Sequence, residues 1–120
     1  MKRSAHSNHA NGTSRAAEIA RLNDELRTTG EGGQILVTRR VKALAAFNIE
    51  ELLQALAAFD RFDPFNDPHS EHDFGDVDLW GAELLWKIDY YAPDLLFGSD
   101  DPANPTITHR VLTVLLAEEY

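Results

Sequence analysis

The segment from Phe74 to Tyr91 constrains the fold more than any other part of the chain. In FGDVDLWGAELLWKIDYY, Val77 and Leu79 alternate with Asp76 and Asp78, while Leu84, Trp86, Ile88 and Tyr90 alternate with Leu85, Lys87 and Asp89. A period of two marks strands that bury one face. Gly81-Ala82 separates the runs and suits a two-residue type II′ turn, with glycine at the positive φ. That turn sets Val77 opposite Trp86, Leu79 opposite Leu84, and Asp76 opposite Lys87. Apolar and charged partners then fall on opposite faces, and the Asp76–Lys87 pair adds about 0.2–1 kcal/mol.

Helical signals flank the hairpin. Ile19, Leu22 and Leu26 recur at spacings of three and four after Ser14, which can cap, and Gly30 is placed to end that helix. Gln34 to Thr38 is a short, partly β-branched apolar run and reads as a strand. Asn48-Ile-Glu-Glu51 resembles a capping box, in which Asn48 accepts from the first turn and Glu51 reaches back. The helix it opens puts Leu52, Leu56 and Phe59 on one stripe, with Ile49 and Leu53 beside it, and stops before Pro64. Asn104-Pro105 reads as a helix start, followed by a stripe of Ile107, Val111, Leu112, Val114 and Leu115. The expected order is α-β-α-β-β-α, an α+β class with a small, mostly antiparallel sheet whose central hairpin is packed by helices.

Charge divides the chain unevenly. Twenty acidic side chains face 11 basic ones, for a formal charge of −9. Residues 1–15 hold three basic residues, no acid and almost nothing a core could use, so they read as a disordered polar tail before a single domain at 16–120. From Asp60 to Asp101, 12 acids stand against only Arg61 and Lys87. This balance disfavours direct binding to nucleic acid phosphates or to anionic lipid. No run approaches the ~18 apolar residues of a membrane span. The absence of cysteine excludes disulfides and thiolate chemistry, and with no apolar run after Lys2-Arg3 the expectation is a cytoplasmic protein.

Several phrases resemble a known family. They are DPHSEHDFG (67–75), WKIDYYAPDL (86–95), and GSDDPANP with RVLTVLLAEEY toward the C-terminus. Leu22-Asn23-Asp24, Thr29-Gly30 and Leu36-Val37-Thr38-Arg39 are similar as well. Together, over about residues 16–120, they resemble the bacterial family catalogued as domain of unknown function 3768. Ala92 departs from the acidic residue expected after the tyrosine pair. The resemblance implies a small bacterial protein of a kind often associated with plasmids and phages. It carries over no activity, cofactor or site residue.

Three sets of residues could carry chemistry. Asp67, His69, Glu71, His72 and Asp73 offer oxygen and imidazole ligands, so a metal-dependent hydrolase built on His69, His72 and Asp73 is one reading. The alternative is a polar loop in which Asp67 and His72 bond backbone amides and hold a turn. The spacing of the two histidines is not the i, i+4 of a helical zinc motif. Lys87, Asp89 and Tyr91 share a strand face and could supply acid–base groups near His72. No nucleophile elbow, Walker loop or dinucleotide motif occurs. The acidic segment itself is the third set, since ordered carboxylates can imitate the phosphates of duplex DNA. The residues therefore lead to a non-enzymatic, cofactor-free protein. Its interaction face would comprise Asp76, Asp78 and Asp89, with Trp80 and Leu85, and would meet a basic protein partner. Self-association through Trp80 and Leu85 is a further expectation.

Overall fold

The computed structural model describes residues 3–120, with side chains from residue 15 onward. Its elements are α1 (Arg3–Thr29), β1 (Gln34–Val37), α2 (Arg39–Lys42), α3 (Ile49–Ala58), β2 (Phe74–Leu79), β3 (Ala82–Tyr91), β4 (His109–Leu116) and a 3₁₀ turn (Ala117–Glu119). The α+β class stands. α1 begins upstream of Ser14, which therefore lies inside the helix and does not cap it. The side chains of the expected tail, residues 1–15, fall almost wholly outside the described residues.

Local chemistry explains the helix ends. Gly30 has a φ of 80° and its amide donates to Leu26 O at 2.8 Å, closing α1 in the left-handed conformation that glycine tolerates best. Thr38 caps the one-turn α2, a helix too short to leave a periodic signal. At α3, Asn48 Oδ1 accepts from Glu51 N at 3.0 Å as the capping pattern requires. Glu51 does not reach back; its carboxylate accepts from Trp80 Nε1 at 2.7 Å.

The four strands form one mixed sheet in the order β1-β4-β3-β2. β2, β3 and β4 are antiparallel neighbours, and β1 adds to β4 in parallel. The segment expected as a final helix is thus the second strand of the sheet. Val111, Leu112, Val114, Leu115 and Leu116 are all buried, so β4 is apolar on both faces and its sequence lacks the alternation of a half-buried strand. Such a run satisfies either period, and its β-branched Val111, Thr113 and Val114 favour the extended form.

The hairpin register also differs from the sequence expectation. Val77 pairs with Leu84, Asp76 with Leu85 and Phe74 with Lys87, a slip of two residues. The turn is Trp80-Gly81, with φ of 57° and 76°, so both central residues are left-handed as in a type I′ turn. A slip of two leaves every side chain on its face, which is why alternation located the core and missed the register. It separates Asp76 from Lys87: Asp76 lies 3.6 Å from Arg61, and Lys87 pairs with Asp89 on its own strand.

α1 and α3 pack on one face of the sheet. Leu26, Val41, Leu52, Leu56, Phe59, Val77, Leu84, Trp86, Ile88, Leu112 and Val114 form the core there. Among the described residues no helix roofs the other face, which carries Leu36, Phe74, Asp76, Asp78, Leu85, Lys87, Asp89, Thr113 and Leu115. Tyr120 lies against Phe74 on that side.

Candidate functional site

The described interior holds an unusual concentration of polar groups. Asn23, Arg27, Asp67 and Arg110 are all buried. Burying a polar group costs free energy unless it is paired, and these four are the centre of a connected network. Arg27 Nε, like the nearby Trp86 Nε1, is nonetheless buried without a hydrogen-bond partner among the described residues. Asn23, on the inner face of α1, donates through Nδ2 to Glu71 O at 2.9 Å and to Tyr90 Oη at 2.8 Å. Its Oδ1 accepts from Arg110 Nε at 2.8 Å. Arg110 also donates to Pro102 O and lies 5.2 Å from the centre of the Tyr90 ring. Tyr90 donates its own proton to Glu71 Oε1, at 3.0 Å.

A second branch begins one residue along α1. Asp24 receives Arg27 Nη2 at 2.9 Å and His72 Nδ1 at 3.0 Å. Arg27 donates to Leu56 O at 2.8 Å and to Phe59 O at 2.9 Å, at the negative end of α3. Its guanidinium also lies 5.4 Å from the Phe62 ring centre, and the His72 ring stacks on Phe62 at 3.9 Å and 5°. The 67–73 loop is held by Asp67, whose Oδ1 accepts from the amides of Glu71 at 2.9 Å and His72 at 3.1 Å. Ser70 and His72 have φ of 58° and 57°, a left-handed geometry sustained by those bonds.

Burial sets the ionisation of this cluster. Desolvation, with Glu71 close by, pushes the Tyr90 phenol far above its ordinary range, so it serves as a hydrogen-bond donor and not as a base. Desolvation likewise lowers the Arg110 pKa. Asp73 is raised, first by burial and then by the neighbouring Glu71. A raised carboxyl pKa means that the folded state holds the proton more tightly than the unfolded chain. The resulting stability is present at low pH and is lost as pH rises through the folded pKa. Asp73→Asn removes that penalty. It is expected to raise the unfolding midpoint at pH 7 slightly, with the gain vanishing in acid; equal gains at both pH values would refute the assignment.

The sequence candidates are distributed differently from their order in the chain. His69 is exposed, His72 is turned onto Asp24, and Asp73 is only half-buried. Among the described residues no three His, Asp or Glu side chains gather in a way that could hold a metal ion. Lys87 and Asp89 lie on the unroofed face, so the sheet separates them from His72 and the acid–base set is not assembled. Asp76, Asp78 and Asp89 occupy that same face, with Leu85 half-buried among them. Trp80 does not join them. Its indole packs edge-on against Phe47 at 5.6 Å and donates to Glu51, which ties the hairpin turn to α3.

Arg110 is the network residue that sequence reasoning missed. Read as a strand, HRVLTVLL places it on the core face with Leu112 and Val114, and an arginine there calls for buried partners. Asn23 and Asp24, the DPHSEHDFG phrase, the WKIDYY strand and the RVLTVLL strand each contribute to this one network. The phrases that carry the family resemblance therefore meet in space.

Fold and interior together define an α+β domain with one helix-covered sheet face, one unroofed face, and a buried polar network joining α1 to the loops. The family described as "Protein of unknown function (DUF3768)" matches residues 37–119, and the chain belongs to that family. No curated protein and no solved structure matches it. No helix among the described residues is long and apolar enough to cross a membrane.

Proposed function

We propose that this is a small, acidic, non-enzymatic interaction protein of the bacterial cytoplasm, of mobile-element origin, that offers the unroofed face of its sheet to a basic protein partner. The observation behind the reading is the position of Asp76, Asp78 and Asp89 on the face without a helix, beside the apolar Leu85. Arg61 and Lys87 offset part of the charge of Asp76 and Asp89. The surplus lies with Asp78 and with the acids of the flanking loops. A DNA-binding enzyme is the kind of partner that suits such a surface, with carboxylates standing where phosphates would. The hydrolase reading of His69, His72 and Asp73 draws no support from their positions.

A partner captured from host extract and then purified is expected to associate fast at low ionic strength. Its affinity should fall as the Debye length shrinks from ~30 Å at 0.01 M salt to ~8 Å at 0.15 M. The triple change Asp76→Asn, Asp78→Asn and Asp89→Asn should weaken binding about tenfold while the melting curve is kept. An unchanged affinity and salt slope would leave the acids as a solubility device only.

A further inference from the structure

We propose that the loop after β3 is an apolar anchor for a basic amphipathic segment of a partner protein, set at the end of the acidic sheet face. The inference rests on the reading that this face meets a basic protein. It names what such a partner must carry besides positive charge, which is apolar side chains next to its cations.

Three consecutive large apolar residues, Leu95, Leu96 and Phe97, are 52%, 75% and 72% exposed. Single exposed apolar side chains are ordinary, whereas three in succession on one loop point to an interaction site. The loop that displays them is firmly built. Beyond Tyr91, Ala92 N donates to Phe97 O at 2.8 Å and Ser99 N to Tyr90 O at 3.0 Å, so the chain doubles back as a short hairpin. Gly98 bridges to Tyr91 on the side of β3 away from β4, past the start of β2. At the tip, Leu95 N donates to Ala92 O at 2.8 Å and Leu96 N to Asp94 Oδ1 at 2.9 Å.

Leu95 has a φ of 64°, a left-handed conformation that disfavours a leucine side chain. Glycine would fit this backbone without strain and would put no apolar surface into water. The fold instead holds a bulky residue in a strained conformation and leaves half of it exposed, where the core gains little from it. Strain kept at an exposed tip points to a contact made outside the domain.

Charge identifies the occupant. Residues 92–101 contain Asp94, Asp100 and Asp101 and no basic residue. Asp101 is matched by Arg15 at 3.0 Å, whereas Asp94 and Asp100 are exposed on either side of the triplet. Carboxylates flanking an apolar triplet repel an anionic bilayer and a second copy of this −9 chain, and they attract cations. A purely cationic partner would leave the triplet in water, and a purely apolar one would strand the carboxylates. Basic and apolar side chains on one segment satisfy both. The loop also continues the acidic face, because Tyr91, from which it departs, shares the outward side of β3 with Asp89.

Two synthetic helical peptides of equal positive charge test this on the full chain by titration calorimetry. One carries a leucine face between its lysines, and the other has glutamine in place of each leucine. The leucine peptide should bind at least about tenfold tighter. Leu96→Ser combined with Phe97→Ser should erase that preference, while both peptides keep their salt dependence and the melting curve matches the parent's. If the double variant fails to fold, Leu95→Gly, which suits the left-handed backbone, takes its place and should reduce the preference. Asp76→Asn, Asp78→Asn and Asp89→Asn together should flatten the salt dependence of both peptides and leave the preference intact. The two readings therefore fail separately: a preference that survives the loop changes overturns the anchor, and a salt dependence that survives the triple change overturns the acidic face. Equal binding of the two peptides by the parent chain overturns the anchor, as does binding to vesicles of phosphatidylcholine alone that the loop changes abolish. Binding of neither peptide overturns both.

Discussion

Arg110→Ala is expected to cost about 3–5 kcal/mol through the cavity and the orphaned acceptors it leaves, a large share of the stability of a domain this size. The side chain is 1% exposed and, among the described residues, makes no direct carboxylate contact. Its charge is held by Asn23 Oδ1, Pro102 O and the Tyr90 ring, with Glu71 one hydrogen bond further on. Truncation leaves Asn23 with an orphaned acceptor in the interior and opens a cavity between α1 and β4. Arg110→Met fills most of that space but still orphans Asn23, so it should fall between the parent and Arg110→Ala. In a cycle with Asn23→Ala the two residues should couple by about 1–3 kcal/mol, since each positions the other. Chemical denaturation measures all of these. A loss below about 1 kcal/mol for Arg110→Ala would mean that the network is ornamental to stability.

Gly75→Ala is expected to cost about 3 kcal/mol, near the upper end for an added methyl group in a packed core. A Cβ built on Gly75 would lie 2.6 Å from Phe59 Cζ and 2.7 Å from Trp86 Nε1. Neither ring has room to retreat. Phe59 meets Trp86 edge-on at 5.4 Å and Phe62 at 4.9 Å, and Trp86 is fully buried. The position is selected by this approach of the rings and not by its φ, which lies outside the left-handed region. Phe59→Leu should partly rescue Gly75→Ala by withdrawing the offending ring edge. A melting point unchanged by Gly75→Ala would refute the packing argument, as would a loss that Phe59→Leu does not relieve.

Alternation made the hairpin faces legible: Val77, Leu84, Trp86 and Ile88 are buried as the pattern requires. The same holds for Leu52, Leu56 and Phe59 on α3, where the apolar period is helical. Register was not legible, because a period of two is blind to a slip of two. The identity of β4 was hidden for a different reason. A central strand is buried on both faces, so it has no polar side to reveal its period. Misreading β4 also concealed Arg110, whose unusual place on a core face appears only once the segment is extended. The polar network joins residues from α1, the 67–73 loop, β3 and β4. Nothing local in the sequence links Asn23 to Arg110. Acid counting located the charge-rich segment but not its internal pairing, since Arg61 finds Asp76 only after the loop folds back along β2.

The place of β4 between β1 and β3 also orders the assembly of the sheet in time. β2, β3 and β4 succeed one another along the chain: a two-residue turn joins β2 to β3, and the 92–108 connection returns β4 to the side of β3. β1 is made of early residues but has no neighbour until β4 has docked, so its parallel pairing closes a long loop and carries the larger entropic cost. In a partly folded chain the outer edge of β4 is therefore bare, and it presents Val111 to Leu116, apolar on both faces. That edge is the surface through which half-folded copies would stick to one another. Recovery of this protein on refolding should thus depend on how quickly a four-residue strand from the other end of the chain arrives to cover it.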